Sequence, residues 1–182
     1  MRIIAGSARS LPLKAVPGTE TRPTTDRIKE TLFNILQNDV PGSYFLDLFA
    51  GSGQIGLEAL SRGAQYAVFV DSGKKPAACI ADNIRFTGFD KTSRLYASDV
   101  LSALRAMEGT YQFDIIFMDP PYQQNLEKEV LRYLSESSLL KKDTLIIVEA
   151  ALQTDFDYLS EFGYTLARLK TYKTNEHAFI RK

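Results

Sequence analysis

The sequence predicts an α/β fold, a mostly parallel sheet with helices on both faces. Three observations carry this. From residue 44 to residue 161, apolar strand-like runs alternate with helical patterns, the order that builds a parallel sheet through helical crossovers. The first of these strands leads into Gly51-Ser52-Gly53-Gln54-Ile55-Gly56, and a helical pattern begins at once. A later apolar run, Phe113-Asp114-Ile115-Ile116-Phe117-Met118, stops at Asp119-Pro120-Pro121-Tyr122, because proline cannot continue a central strand.

Residues 2–6 and 11–16 read as short strands of an N-terminal hairpin, and Pro17-Gly18 marks a turn. Thr24 follows Pro23 as the expected N-cap of a helix to about residue 38, with Ile28, Leu32, Ile35 and Leu36 on one face. Pro41-Gly42 closes it. The alternation then runs strand 44–49, helix 54–61, strand 66–70, helix 75–86, strand 94–96, helix 100–107, strand 113–118, helix 126–139, strand 144–148 and helix 155–161. Two last strands, 165–170 and 177–180, have no helix between them. They read as a hairpin, which sets the final strand antiparallel to the rest of a seven-stranded sheet.

Strand, glycine turn and helix form the start of a nucleotide-binding βαβ unit. Gly51 and Gly53 allow a tight turn and close backbone approach, and the helix N-terminus exposes free N–H groups. Twenty residues beyond Gly51, strand 66–70 ends in Asp71, whose carboxylate can accept from two ribose hydroxyls. Read literally, residues 51–56 match the dinucleotide pattern. Against that, the strand carries Asp47 just before the glycines, and a buried acid needs a cation or a donor. A sulfonium cofactor with an α-amino group suits it better than a pyrophosphate. More than 40 residues precede the motif, and Asp-Pro-Pro-Tyr has no role in hydride transfer.

Asp119 and Pro120 each precede a proline, so their turn is stiff. It presents a carboxylate, backbone carbonyls and the ring of Tyr122. That set suits a flat group bearing an amino group: the carboxylate and a carbonyl accept its two hydrogens, and the aromatic ring stacks on it. A proline-rich loop after a strand is the plainer reading.

At 182 residues the chain is long enough for one substantial core, and 45% hydrophobic residues exclude a disordered chain. The single cysteine, Cys79, excludes a disulfide framework and fits a reduced cytoplasm. One histidine and one cysteine make a zinc site unexpected, so no metal is predicted. No apolar run reaches membrane-spanning length. Net charge is zero, but its distribution is uneven. Residues 1–22 hold Arg2, Arg9, Lys14 and Arg22 against Glu20, and residues 168–182 hold Arg168, Lys170, Lys173, Arg181 and Lys182 against Glu176. Two basic ends on an acidic body suggest a phosphate-binding surface, provided they meet in space. Solvated charge on terminal segments is the alternative.

The segment Thr21-Arg22-Pro23-Thr24-Thr25-Asp26-Arg27-Ile28-Lys29-Glu30-Thr31-Leu32-Phe33-Asn34-Ile35-Leu36, with Asp47-Leu48-Phe49-Ala50-Gly51-Ser52-Gly53, Gly56–Ala64 and Asp119-Pro120-Pro121-Tyr122, resembles the bacterial RsmD-type methyltransferases. The resemblance runs from Arg2 to about Ile180. It implies a Rossmann-like class I S-adenosylmethionine-dependent methyltransferase with an N-terminal hairpin and helix: residues 1–40 as a substrate-side extension, residues 41–182 as the methyltransferase domain. It implies methyl transfer to the exocyclic N2 of one guanine in 16S rRNA, within a small-subunit particle, by a cytoplasmic monomer.

On this resemblance Asp119, Pro120, Pro121 and Tyr122 are catalytic. Asp47, Phe49, Gly51, Gly53, Asp71, Ser98, Asp99 and Val100 hold the cofactor, with Asp99 on the adenine amino group and the Val100 N–H on a ring nitrogen. Asp99 can equally be a helix N-cap. Arg9, Lys14, Arg22, Thr24, Arg27 and Lys173 form the substrate side, where Arg22 and Arg27 can hold phosphates or the methionine carboxylate. A plainer reading of that segment has Thr24 and Asp26 capping the helix, with Lys29 and Glu30 on its wet face. The chain departs from the family at Arg9-Ser10, where Arg-Gly is usual, and at Tyr172–Glu176. An amino-methyltransferase acting on DNA adenine or cytosine or on protein glutamine, or an inactive RNA-binding assembly module, are the other readings.

Overall fold

A computed structural model describes residues 1–18, 25–122 and 125–182. Seven strands form one sheet: β1 (Tyr44–Leu48), β2 (Tyr66–Val70), β3 (Ser93–Tyr96), β4 (Phe113–Met118), β5 (Leu140–Ala150), β6 (Thr165–Thr171) and β7 (Glu176–Arg181). Their spatial order is β3-β2-β1-β4-β5-β7-β6. The first five are parallel, and β7 inserts between β5 and β6, antiparallel to both. The strand order reverses between β1 and β4, so the turns after these neighbours face the crevice where open α/β sheets bind ligands.

Helices α1 (Asp26–Ile35), α2 (Gln54–Ser61), α3 (Lys74–Thr87), α4 (Val100–Met107) and α5 (Leu126–Ser135) cover the sheet. Alternation along β1 sorts the layers. Leu46 and Leu48 pack with Val100, Leu104 and Leu131 of α4 and α5. Phe45 faces the other way, with Leu32, Phe33, Leu57 and Ile80 of α1, α2 and α3. Each such fully buried side chain contributes about 1.5–3 kcal/mol.

Several boundaries depart from the sequence reading. The N-terminal hairpin is short, centred on the antiparallel bridge of Arg2 to Pro12. Ile3 and Leu13 N–H donate across it to the Leu11 and Met1 carbonyls, whereas Ile4 and Ala5 N–H reach the Glu58 carboxylate at 2.8 and 3.1 Å, and Ala8 N–H reaches Ser61 Oγ at 3.0 Å. The segment is therefore fastened to α2. The residue at the family's usual glycine position, Ser10, has φ 69°, in the left-handed region that glycine adopts without cost. Helix α1 is capped by Thr25, whose hydroxyl accepts from Ile28 N–H at 3.4 Å; the expected cap Thr24, together with Arg22, lies outside the described residues. It ends at Ile35, and its buried stripe is Lys29, Leu32, Phe33 and Leu36. The helix expected at 155–161 is a 3₁₀ turn, Asp157–Phe162, stopped by Gly163 at φ 75°. Strand β5 runs longer than expected because β7 and β4 pair along both of its edges.

Lys29 is a correction with consequences. It belongs to the core, not to a wet face: its side chain and that of Glu58 are both fully buried. Lys29 Nζ lies 3.3 Å from Glu58 Oε2 and donates to the Arg2 carbonyl at 2.5 Å. Arg62 Nε meets Glu58 Oε1 at 2.8 Å. Desolvation pushes the Lys29 ammonium below the usual lysine range against the attraction of Glu58. One carboxylate thus ties the N-terminal segment, α1 and α2 together.

Candidate active site

The turn after β1 is held in conformations most side chains avoid. Phe49 has φ 58°, Gly51 58° and Gly53 75°. Such values are rare for a bulky residue and mark strain held by the surroundings. The three glycines differ in what surrounds them. A Cβ on Gly56 would lie 2.3 Å from Phe69 Cε1, so this glycine lets α2 lie against β2. A Cβ on Gly53 would sit 3.3 Å from the same atom. A Cβ on Gly51 would meet nothing within 4 Å. There the bare backbone opens onto the cleft.

Two acids brace this turn. Asp71 Oδ2 accepts from Gly51 N–H at 2.9 Å, and its Oδ1 accepts from Gly73 N–H at 2.8 Å. Asp47 is buried, and its Oδ2 accepts from Gly56 N–H at 2.9 Å. The donor it needs comes from the first turn of α2. Burial first, then the charges of Asp119 and Asp71, pushes the Asp47 carboxyl well above the usual carboxylate range.

Asp119-Pro120-Pro121-Tyr122 begins where β4 ends, and β4 lies against β1 with Met118 beside Leu48. Pro120 is buried, whereas Tyr122 is 46% exposed. Burial, then the charge of Glu149, holds the Asp119 carboxyl up at about 8. Burial and the same two acids push the Tyr122 phenol to about 12. Glu149, at the end of β5, is a residue the sequence reading missed. It accepts from Asn175 Nδ2, and its Oε2 lies 3.2 Å from His177 Nε2.

These groups share one cleft of 1160 Å³, large enough for more than one drug-sized ligand. Phe49, Gly51 and Asp71 line it together with Asp119, Pro120, Pro121, Tyr122 and Glu149. Arg27 comes from α1, and Lys170, Tyr172, Lys173 and Asn175 from the β6–β7 hairpin. Of the expected site residues, Asp47 and Gly53 support the turn from beneath instead of lining the cleft. Ser98, Asp99 and Val100 stand outside its lining; Asp99 is the N-cap of α4, its Oδ1 accepting from Ser102 N–H at 2.9 Å. Arg9 is exposed on the N-terminal segment. Lys14 pairs with Asp82 of α3 at 2.9 Å, away from the lining. Among the described residues, no cluster of histidine, cysteine and acids could hold a metal ion, and no helix is long and apolar enough to cross a membrane.

The family described as Conserved hypothetical protein 95 matches residues 1–180. Ribosomal RNA small subunit methyltransferase D of Haemophilus influenzae is 36% identical over 172 residues, 94% of this chain and 88% of that one. The same-named protein of Escherichia coli K12 is 38% identical over 155 residues, 84% and 76% of the two chains. The chain belongs to the RsmD-type family of rRNA methyltransferases. The solved structure of a hypothetical protein from Thermus superposes with a TM-score of 0.85 at 29% identity, over 100% of this chain and 99% of that one.

Like the rest of this RsmD-type family, the protein is a class I S-adenosylmethionine-dependent methyltransferase. The cleft fits that cofactor: open space at Gly51 admits it against bare backbone, Asp71 offers oxygens at the end of β2, and the acids suit a cationic centre. Because Asp71 also holds the turn through Gly51 and Gly73, Asp71→Ala is expected to weaken S-adenosylhomocysteine binding on the order of 10–100-fold, each bond to a charged group contributing about 1.5–3 kcal/mol. Titration calorimetry on the folded variant checks this.

Proposed function

We propose that this RsmD-type protein transfers a methyl group from S-adenosylmethionine to the exocyclic N2 of one guanine in small-subunit rRNA. The observation that carries the reading is the stiff turn Asp119–Tyr122, set beside the glycine turn on neighbouring strands of one cleft. The names of the relatives support an rRNA substrate, and the acceptor chemistry of the turn supports an amino group.

When bound, the cofactor supplies an activated methyl on sulfur that leaves as a neutral thioether. The chain supplies the geometry. The Asp119 carboxylate and the Pro120 carbonyl accept the two N2 hydrogens, which turns the nitrogen lone pair out of conjugation with the ring and toward the methyl group. Orientation of this kind is worth about 7–11 kcal/mol in well-ordered systems. Tyr122 stacks on the flipped base, contributing about 1–3 kcal/mol. Asp119 takes the proton that N2 loses. Arg27, Lys170 and Lys173 line the same cleft and offer cations to RNA phosphates.

Methyl transfer from labelled S-adenosylmethionine tests this. With small-subunit particles from a strain lacking the corresponding methyltransferase, label is expected in the RNA. Label in duplex DNA or in ribosomal protein instead would overturn the assignment.

A further inference from the structure

Glu149 has no part in the scheme above, yet it is fixed with care. It lies at the end of β5, one strand over from Asp119, with Met118 paired to Val148. It is 6% exposed. Asn175 donates to one oxygen and His177 stands at the other. His177 is fully buried. Its Nδ1 lies 3.5 Å from the Tyr172 hydroxyl, and Phe117 meets its ring edge-on at 6.0 Å. These contacts leave the carboxylate little freedom to turn away from the cleft.

Acids and phenols surround the two carboxyl groups, with the His177 imidazole 3.2 Å from Glu149. Asp47 lies behind on β1, Asp71 follows β2, and Tyr122, Tyr172 and His177 complete the set. Arg27, Lys170 and Lys173 line the cleft, but among the described residues no lysine or arginine pairs with Asp119 or Glu149. Two neighbouring carboxyl groups in a desolvated place do not both ionise without a cation. The elevated position of Asp119, at about 8, agrees with this.

We propose that Glu149 is a positioning residue that makes Asp119 answer to the charge of the cofactor. With Glu149 beside it, Asp119 holds its proton when the cleft contains no cation. It gives that proton to solvent as the sulfonium arrives, and keeps it beside the uncharged thioether product. Asp119 is then ready to accept the N2 hydrogens only when a methyl group is present to be transferred. Asn175 and His177 keep Glu149 where its charge is felt. The inference rests on the cofactor assignment, not on guanine, so a different methylated nucleoside would leave it standing.

The test compares two ligands that differ by one methyl and one charge. S-adenosylmethionine and S-adenosylhomocysteine are titrated into the full chain at pH 7 in buffers of different ionisation enthalpy. The amino and carboxyl groups are common to both ligands, so their contributions cancel. The methionine form should release about one proton and the homocysteine form none. Correspondingly, affinity for the first should rise about tenfold per pH unit up to pH 8, and affinity for the second should stay flat. Glu149→Gln should still bind S-adenosylhomocysteine but lose most of the proton release, and the acid limb of its kcat/KM profile should move to lower pH. Asp119→Asn should abolish the release. Equal release with both ligands, no release with the native chain, or undiminished release in Glu149→Gln would overturn the proposal. The first two outcomes need no variant.

Discussion

Asp119→Ala is expected to lower methyl transfer by about 10²–10⁴-fold, the range for loss of a positioned acid–base group. The carboxylate is assigned to the acceptor amine, so affinity for S-adenosylhomocysteine should stay nearly native. The defect should therefore appear in kcat and not in binding of S-adenosylhomocysteine. Asp119→Asn keeps a carbonyl oxygen that can accept one N2 hydrogen, and should lose less than alanine does. Single-turnover transfer with saturating particle separates chemistry from release. Near-normal turnover in Asp119→Ala would show that the turn does not orient the acceptor through its side chain.

Glu58→Ala should have the largest effect on stability. It leaves the Lys29 ammonium buried without its carboxylate and strips the acceptor from Ile4 and Ala5 N–H. Breaking one side of a buried pair costs about 3–5 kcal/mol. For a chain of this size that is a fall in midpoint on the order of 10 °C. The double change Lys29→Met with Glu58→Gln removes both charges and retains an acceptor for the N-terminal segment. It should recover much of the loss. Thermal unfolding of the three proteins decides the matter, and a Glu58→Ala midpoint within a degree or two of native would show that the network is not stabilising.

The sheet was legible because its strands are apolar runs bounded by glycine, proline and acids. Helices α2 and α4 and strands β2 and β4 lie where periodicity places them. The glycine turn and its bracing acids were legible because glycines and strand-end acids recur at fixed spacing. The sites that escaped depend on partners far apart in sequence. Glu149 gains its meaning from Asn175, in the turn before β7, and His177, on the strand that folds back beside β5, and nothing within the β5 sequence reports that pairing. Lys29 did leave a signal. It stands three, four and seven residues before Leu32, Phe33 and Leu36, on the apolar stripe itself, and a lysine there needs a buried acid. The N-terminal hairpin is shorter than expected for a related reason. The two short segments do pair, through Ile3 with Leu11 and Leu13 with Met1, but Ile4 and Ala5 N–H go to the Glu58 carboxylate of α2, which nothing within the segments reports.

The most direct measurement is the identity of the nucleoside that carries the label. Small-subunit particles methylated with labelled S-adenosylmethionine are digested to nucleosides, and the product is identified by chromatography and mass. Label in N2-methylguanosine, present with the native protein and lost with Asp119→Ala, is the expected result. Label in a nucleoside methylated on carbon, on ribose or on a ring nitrogen would contradict an acceptor site built for an exocyclic amine.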